Sequence, residues 1–177
     1  MPDPEVLAEQ ALADYNAGDF DRASLGFSNA HDLFLASDNL LRAAEMSNNL
    51  CVCLLELDRT SEALAAVRDT PITFHNEGEL LLKAQSLGNR AMARAALGQA
   101  AEAESDYRAA TDIFRELGHG EGLQYTMQAL SKIQLQQGRP MEALNAMQSV
   151  LDSKSKPSLR DRLLSWLFKF PMRFLGR

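Results

Sequence analysis

Little in this 177-residue chain points to a secreted, fibrous or membrane-spanning protein, because the residues those classes need are scarce. It has 2 cysteines, 6 prolines, 10 glycines and 1 tryptophan. Two cysteines do not make a disulfide scaffold. Cys51 and Cys53 stand two residues apart, so on a helix they point about 200° from each other, a poor geometry for a bridge or for shared metal ligation. They read as small apolar helix residues in a reducing compartment. So little Pro and Gly excludes collagen-like or proline-rich low complexity. No apolar run reaches the roughly 18 residues a transmembrane helix needs. The start, MPDPEVLAEQ, has acids but neither a basic n-region nor an apolar h-region, so no signal peptide is expected and the location reads as cytoplasmic.

Catalytic and cofactor signatures are also missing. The sequence has no G-x-S-x-G elbow, Walker loop, strand-borne G-x-G-x-x-G or H-E-x-x-H. Of the three histidines, His31, His75 and His119, none has a partner at metal-ligand spacing, and the last two fall in expected loops. Acidic pairs such as Asp19/Asp21 and Glu102/Glu104 read as solvated turns. The expectation is a non-enzyme with no catalytic residue, cofactor or metal.

What is present is enough apolar content, 46%, to fill a core, with 24% charged residues. The net charge of −6 is unevenly spread: residues 1–151 hold 11 Lys+Arg against 22 Asp+Glu, a net of −11, and residues 152–177 hold 7 against 2, a net of +5. An acidic body repels a phosphate backbone, so nucleic acid is excluded as its partner.

The chain also has a period of 40 residues. Ala23, Ala63, Ala103 and Ala143 share a column; four positions on stand Phe27, Val67, Tyr107 and Met147, and three further on Ala30, Thr70, Ala110 and Val150. Gly18, Asp58, Gly98 and Gly138 precede the alanines. A small column (Ala11, Cys51, Ala91, Ser131) lies upstream, and Phe34, Phe74 and Phe114 recur in step. Each unit reads as helix, tight turn, helix: the turn column supplies the residue that closes the first helix, and the alanine column lines one face of the second. Such a hairpin cannot bury its apolar face alone, so consecutive units stack.

The order of small residue, turn glycine, alanine, aromatic and alanine resembles the tetratricopeptide repeat, most clearly in YNAGDFDRASLGFSNA (15–30), RAALGQAAEAESDYRAA (94–110) and QQGRPMEALNAM (136–147). The common unit is about 34 residues; one of 40 is similar to the longer-helix variety of kinesin light chains and LGN-type adaptors. The expected fold is therefore all-α: a right-handed superhelical stack of about four hairpins over residues 1–152, with units at 4–36, 39–70, 78–117 and 120–152. A linker at 153–157 and a basic amphipathic helix at 158–177 follow. The second unit departs from the pattern, because Pro71 should end its second helix near residue 69 and leave TPITFHNEG (70–78) as a loop.

The resemblance implies that the first helices line a concave groove that takes a segment of another protein. The groove-facing candidates are Glu45, Asn48, Asn49, Val52 and Glu56 in the second unit, Gln85, Asn89 and Met92 in the third, and Tyr125, Gln128 and Lys132 in the fourth; Glu5, Glu9 and Leu12 share their columns in the first. Amide side chains both donate to and accept from a peptide backbone. The lysines of a chaperone-tail clamp are missing. With Glu5, Glu9, Glu45 and Glu56 in the groove, a basic or neutral apolar segment is the favoured partner. The protein thus reads as a protein-binding adaptor or scaffold, with homo-oligomerisation left open.

The tail supports an alternative. Arg162 and Lys169 lie on one side of its helical wheel and Leu163, Trp166, Leu167 and Phe170 on another, with Phe168 widening the apolar arc and Arg173 and Phe174 beyond Pro171. One reading is a helix capping the repeats; the other is a surface anchor for anionic membrane or a partner, which would make the protein a peripheral membrane adaptor.

Overall fold

The computed structural model describes residues 2–153. Among them are nine helices and no strand: α1 (Pro4–Asn16), α2 (Phe20–Ala36), α3 (Leu40–Glu56), α4 (Thr60–Val67), α5 (Thr70–Asn76), α6 (Leu80–Ala96), α7 (Ala100–Glu116), α8 (Gly120–Gln136) and α9 (Pro140–Ser153). The helical hairpins follow the expected order. The tail residues 158–177 lie outside the described residues.

Local geometry repeats every 20 residues, half the interval seen in the sequence columns. Gly18, Asp38, Asp58, Gly78, Gly98, Gly118 and Gly138 all take positive φ. Each is followed by a residue whose N–H reaches back five positions, as in Asp19 N to Asp14 O (2.9 Å), Asn39 N to Phe34 O (2.9 Å) and Arg139 N to Gln134 O (2.8 Å). This bond closes a helix through a left-handed residue. The next helix starts at once, capped by Asp19, Asn39 or His119, whose side chains accept from the backbone N–H three residues on.

The chain divides into two compact units, Met1–Ala110 and Thr111–Arg177. In the first, Ala23, Ala63 and Ala103 are fully buried, as are Ala11, Cys51 and Ala91 of the small column. The need for small residues is direct where α1 meets α2: a Cβ added to Gly26 would lie 2.7 Å from the Cβ of Ala11. Cys51 and Cys53 belong to different core clusters, the former with Ala63, Val67 and Ala93, the latter with Ala8, Phe27 and Met46. Burial pushes the Cys51 thiol up to about 12 and the Cys53 thiol up to about 11, so both stay protonated and unreactive at neutral pH.

The expected loop at 70–78 is corrected. The break does occur at Pro71, but the helix restarts at once as α5, with Pro71 in its first turn, where α5 itself offers no acceptor for the missing N–H. Together α4 and α5 span 60–76, matching α2 at 20–36, and Glu79 N closes α5 on Phe74 O at 2.8 Å as the other helices are closed. Phe74 therefore keeps its place beside Phe34 in the column, fully buried. His75 accordingly sits in a helix and not a loop.

Two side chains repair the break. Proline at 71 deprives the carbonyl of Val67 of its usual donor four residues on. The hydroxyl of Thr70 donates to that carbonyl instead (3.0 Å) and also meets Ser86 Oγ on α6, while Arg90 of α6 donates to the carbonyl of Arg68 (2.8 Å). Alanine at 70 is expected to destabilise the protein by about 1–3 kcal/mol, because a buried carbonyl is left bare. In a Pro71→Ala background, where residue 71 can donate again, the same change should cost about 1 kcal/mol less; urea unfolding of the four proteins checks this cycle.

In the second unit α8 buries Leu123, Met127, Leu130 and Ile133, and α9 buries Ala143. Thr111 donates to Thr126 Oγ1 (2.9 Å), and the ring of Phe114 lies where a Cβ on Gly122 would fall, 2.6 Å away. His119 caps α8 through Nδ1 and lies 5.3 Å from the Phe114 ring, a structural role in place of the expected solvated loop. In the first unit Glu104, expected on an exposed turn, is buried and accepts from Arg108 at 2.6 Å.

Candidate protein-binding face

In the first unit the candidates stand on α3 and α6. Glu45, Asn48, Asn49, Val52 and Glu56 recur at helical spacing along α3; Gln85, Asn89 and Met92 do so along α6. The structure brings two of these together directly: Asn89 Nδ2 donates to Asn48 Oδ1 at 3.0 Å. Asn48 is only 9% exposed, so this pair ties α3 to α6 before it can offer anything outward.

Asn49 and Val52 take part in a different feature. With Leu12 and Tyr15 of α1 and Phe27 of α2 they surround a cavity of about 140 Å³. Its walls are largely apolar, with Asn49 as the one amide and Leu12, 51% exposed, at its edge. Tyr15 is steadied by the ring of Phe20, 5.5 Å away. An apolar hollow beside a single amide can take a side chain and hold the backbone carrying it.

The acidity expected of this face is reduced. Arg42, at the start of α3, pairs with both Glu5 and Glu45 and lies 5.2 Å from the ring centre of Phe34. The hydrogen bonds it donates to Glu5, and the carboxylate charges of Glu45 and Glu5, outweigh its partial burial and hold its guanidinium above its ordinary value. Two of the four expected carboxylates are thus committed to one cation, while Glu9 and Glu56 are exposed. The column reading had no signal for this, since Arg42 shares its column with Pro2, Leu82 and Gly122.

Gln85 and Glu56 are exposed, and Met92 is half-buried. In the second unit Tyr125, Gln128 and Lys132 are all exposed on α8 at spacings of three and four. The tail candidates Arg162, Trp166, Leu167, Phe168, Lys169, Phe170, Arg173 and Phe174 lie outside the described residues. Among the described residues no helix is long and apolar enough to cross a membrane, and no three His, Cys, Asp or Glu side chains are grouped to hold a metal.

Residues 82–156 match the tetratricopeptide repeat family. Residues 82–156 carry tetratricopeptide repeats. Its fold is similar to BtubC from P. vanneervenii, with 16% identity and a TM-score of 0.78, covering 86% of this chain and 65% of that one. RapI matches with 16% identity and a TM-score of 0.78 over 93% of this chain. A kinesin light chain-like protein of Podosopora anserina with nearly identical TPR-like repeats matches with 16% identity and a TM-score of 0.77, over 93% of this chain and 84% of that one. This chain spans about two thirds of BtubC and 47% of RapI. At such identity these likenesses establish the fold. No curated protein sequence matches. Tetratricopeptide repeat proteins are in general protein-interaction modules and non-enzymatic scaffolds.

Proposed function

We propose that this tetratricopeptide-repeat chain is a non-enzymatic adaptor that binds a segment of another protein on the face presented by α1, α3 and α6. The observation that carries the reading is the cavity of Leu12, Tyr15, Phe27, Asn49 and Val52. It combines an apolar hollow with an amide, and it opens on the face that the repeat pattern singled out. With Glu5 and Glu45 already paired to Arg42, the preferred segment is apolar and neutral to mildly basic, its side chain seated in the hollow and its backbone bonded to Asn49.

The test is co-purification from cells of the full chain and of a Leu12→Asp, Val52→Asp variant. Neither side chain is fully buried, so the melting temperature should hold. The loss of two apolar anchors should reduce partner recovery by at least about tenfold. An unchanged set of partners at unchanged stability rejects this face. The alternative of a membrane adaptor rests on residues 158–177, outside the described residues.

A further inference from the structure

Two neighbouring slots in the first unit are built alike and filled differently. In one, Arg90 and Arg94 of α6 reach across to Asp106 of α7 at 2.6–2.8 Å, and Arg90 also bonds the carbonyl of Arg68 after α4. Forty residues earlier the matching positions hold Leu50, Leu54 and Ala66. The guanidiniums are replaced by shorter apolar side chains, and the slot opens as a cavity of about 290 Å³ walled by α2, α3 and the start of α4.

The lining of the open slot has two parts. Leu25, Leu50 and Leu54 give it an apolar surface, and Leu25 is 63% exposed. Asp21 and Glu62 place carboxylates at the rim, together with Arg59, which is bonded to Glu62 at 2.7 and 2.8 Å and also feels the charge of Asp21, so the rim is left with one net negative charge. That ion pair lies in solvent and is opened at little cost. The volume sits at the bottom of the small-molecule range of roughly 300–1,000 Å³, a size that suits one or two side chains better than a whole small ligand. This slot shares no residue with the hollow around Asn49.

We propose that the slot between α2 and α4 docks a second kind of partner segment, one that brings an apolar side chain flanked by Lys or Arg. The apolar group covers Leu25 and fills the space over Leu50 and Leu54. The cation pairs with Asp21, the rim carboxylate to which Arg59 makes no hydrogen bond, where its charge complements the net negative charge of the rim. The adjacent slot shows the principle within the same chain, since there guanidiniums occupy the corresponding space and are held by a carboxylate.

The experiment uses the full chain and two fluorescently labelled probe peptides, an amphipathic leucine–lysine peptide and its leucine–glutamate counterpart, read by fluorescence anisotropy. The lysine probe is expected to bind with a Kd of roughly 10 µM. Filling the slot with Ser28→Trp, or removing its exposed apolar wall with Leu25→Ser, should weaken it about tenfold, and Leu135→Ser, at an exposed position outside both hollows, should leave it unchanged. The glutamate probe should bind at least about tenfold more weakly. Failure of the lysine probe to bind, equal binding of the two probes, or indifference to both slot variants overturns the proposal. So does sedimentation showing a dimer that Ser28→Trp dissociates, because a second copy would then be the occupant.

Discussion

Replacing Asp106 by alanine is expected to destabilise the protein by about 3–5 kcal/mol, because it strands two largely buried guanidiniums. Asp106 accepts from Arg90 through both oxygens at 2.7 and 2.8 Å and from Arg94 at 2.6 Å, and its side chain is almost wholly removed from water. Removing one partner leaves the others charged and unpaired, and that penalty exceeds any net attraction lost. The repeat preceding it supplies the control. Arg90→Leu, Arg94→Leu and Asp106→Ala together reproduce the arrangement of Leu50, Leu54 and Ala66. This triple variant should recover most of the loss, falling short by about 1 kcal/mol because the carbonyl of Arg68 no longer has its donor. Urea unfolding of the single and triple variants decides: if the triple is the weaker of the two, the network is a stabiliser in its own right and the reasoning from stranded charge is wrong.

The second large effect is expected at Phe74. Alanine there should cost about 3–5 kcal/mol, the range for an aromatic side chain removed from a packed core, and should match Phe34→Ala. A residue in a solvated loop would cost within about 0.5 kcal/mol. Thermal or urea unfolding of the two variants thus distinguishes a split helix that keeps its repeat position from a segment that has left the array.

How far the sequence reveals the fold depends on which regularity is read. The alanine, small and phenylalanine columns are visible because buried positions tolerate few residue types, and each is buried in the described hairpins; Met147, in the bulky column four positions past the alanines, is 42% exposed. Pro71 was visible as a break. Its second role was not, because proline both ends a helix and begins one, and only the phase of Phe74 marks the restart. Thr70, the one polar residue in a column that otherwise has Ala30, Ala110 and Val150, is the other trace of the repair.

The candidate face was less legible, for a geometric reason. Columns align positions 40 apart, whereas the side chains that meet across adjacent helices, Asn48 and Asn89, stand 41 apart. Likewise the hollow around Asn49 draws Phe27 from a column that reads as packing and Tyr15 from outside the columns altogether. Charge pairing escapes the columns in the same way: Arg42 neutralises Glu5 from 37 residues away, and no single column holds both positions. Periodicity reports which residues are equivalent, and a binding surface is made by residues that are not.

The run of left-handed residues at 18, 38, 58, 78, 98, 118 and 138 sets a rule for how such a chain can change length. One residue inserted within any helix turns everything after it by about 100°, which would carry an alanine made for the interior out to water and a charged neighbour in. Forty residues spliced between two turns leave every alanine facing inward, and twenty would exchange the roles of the two helices in all later hairpins. Growth and loss in this lineage should therefore come in whole hairpins, with smaller insertions confined to the seven turns.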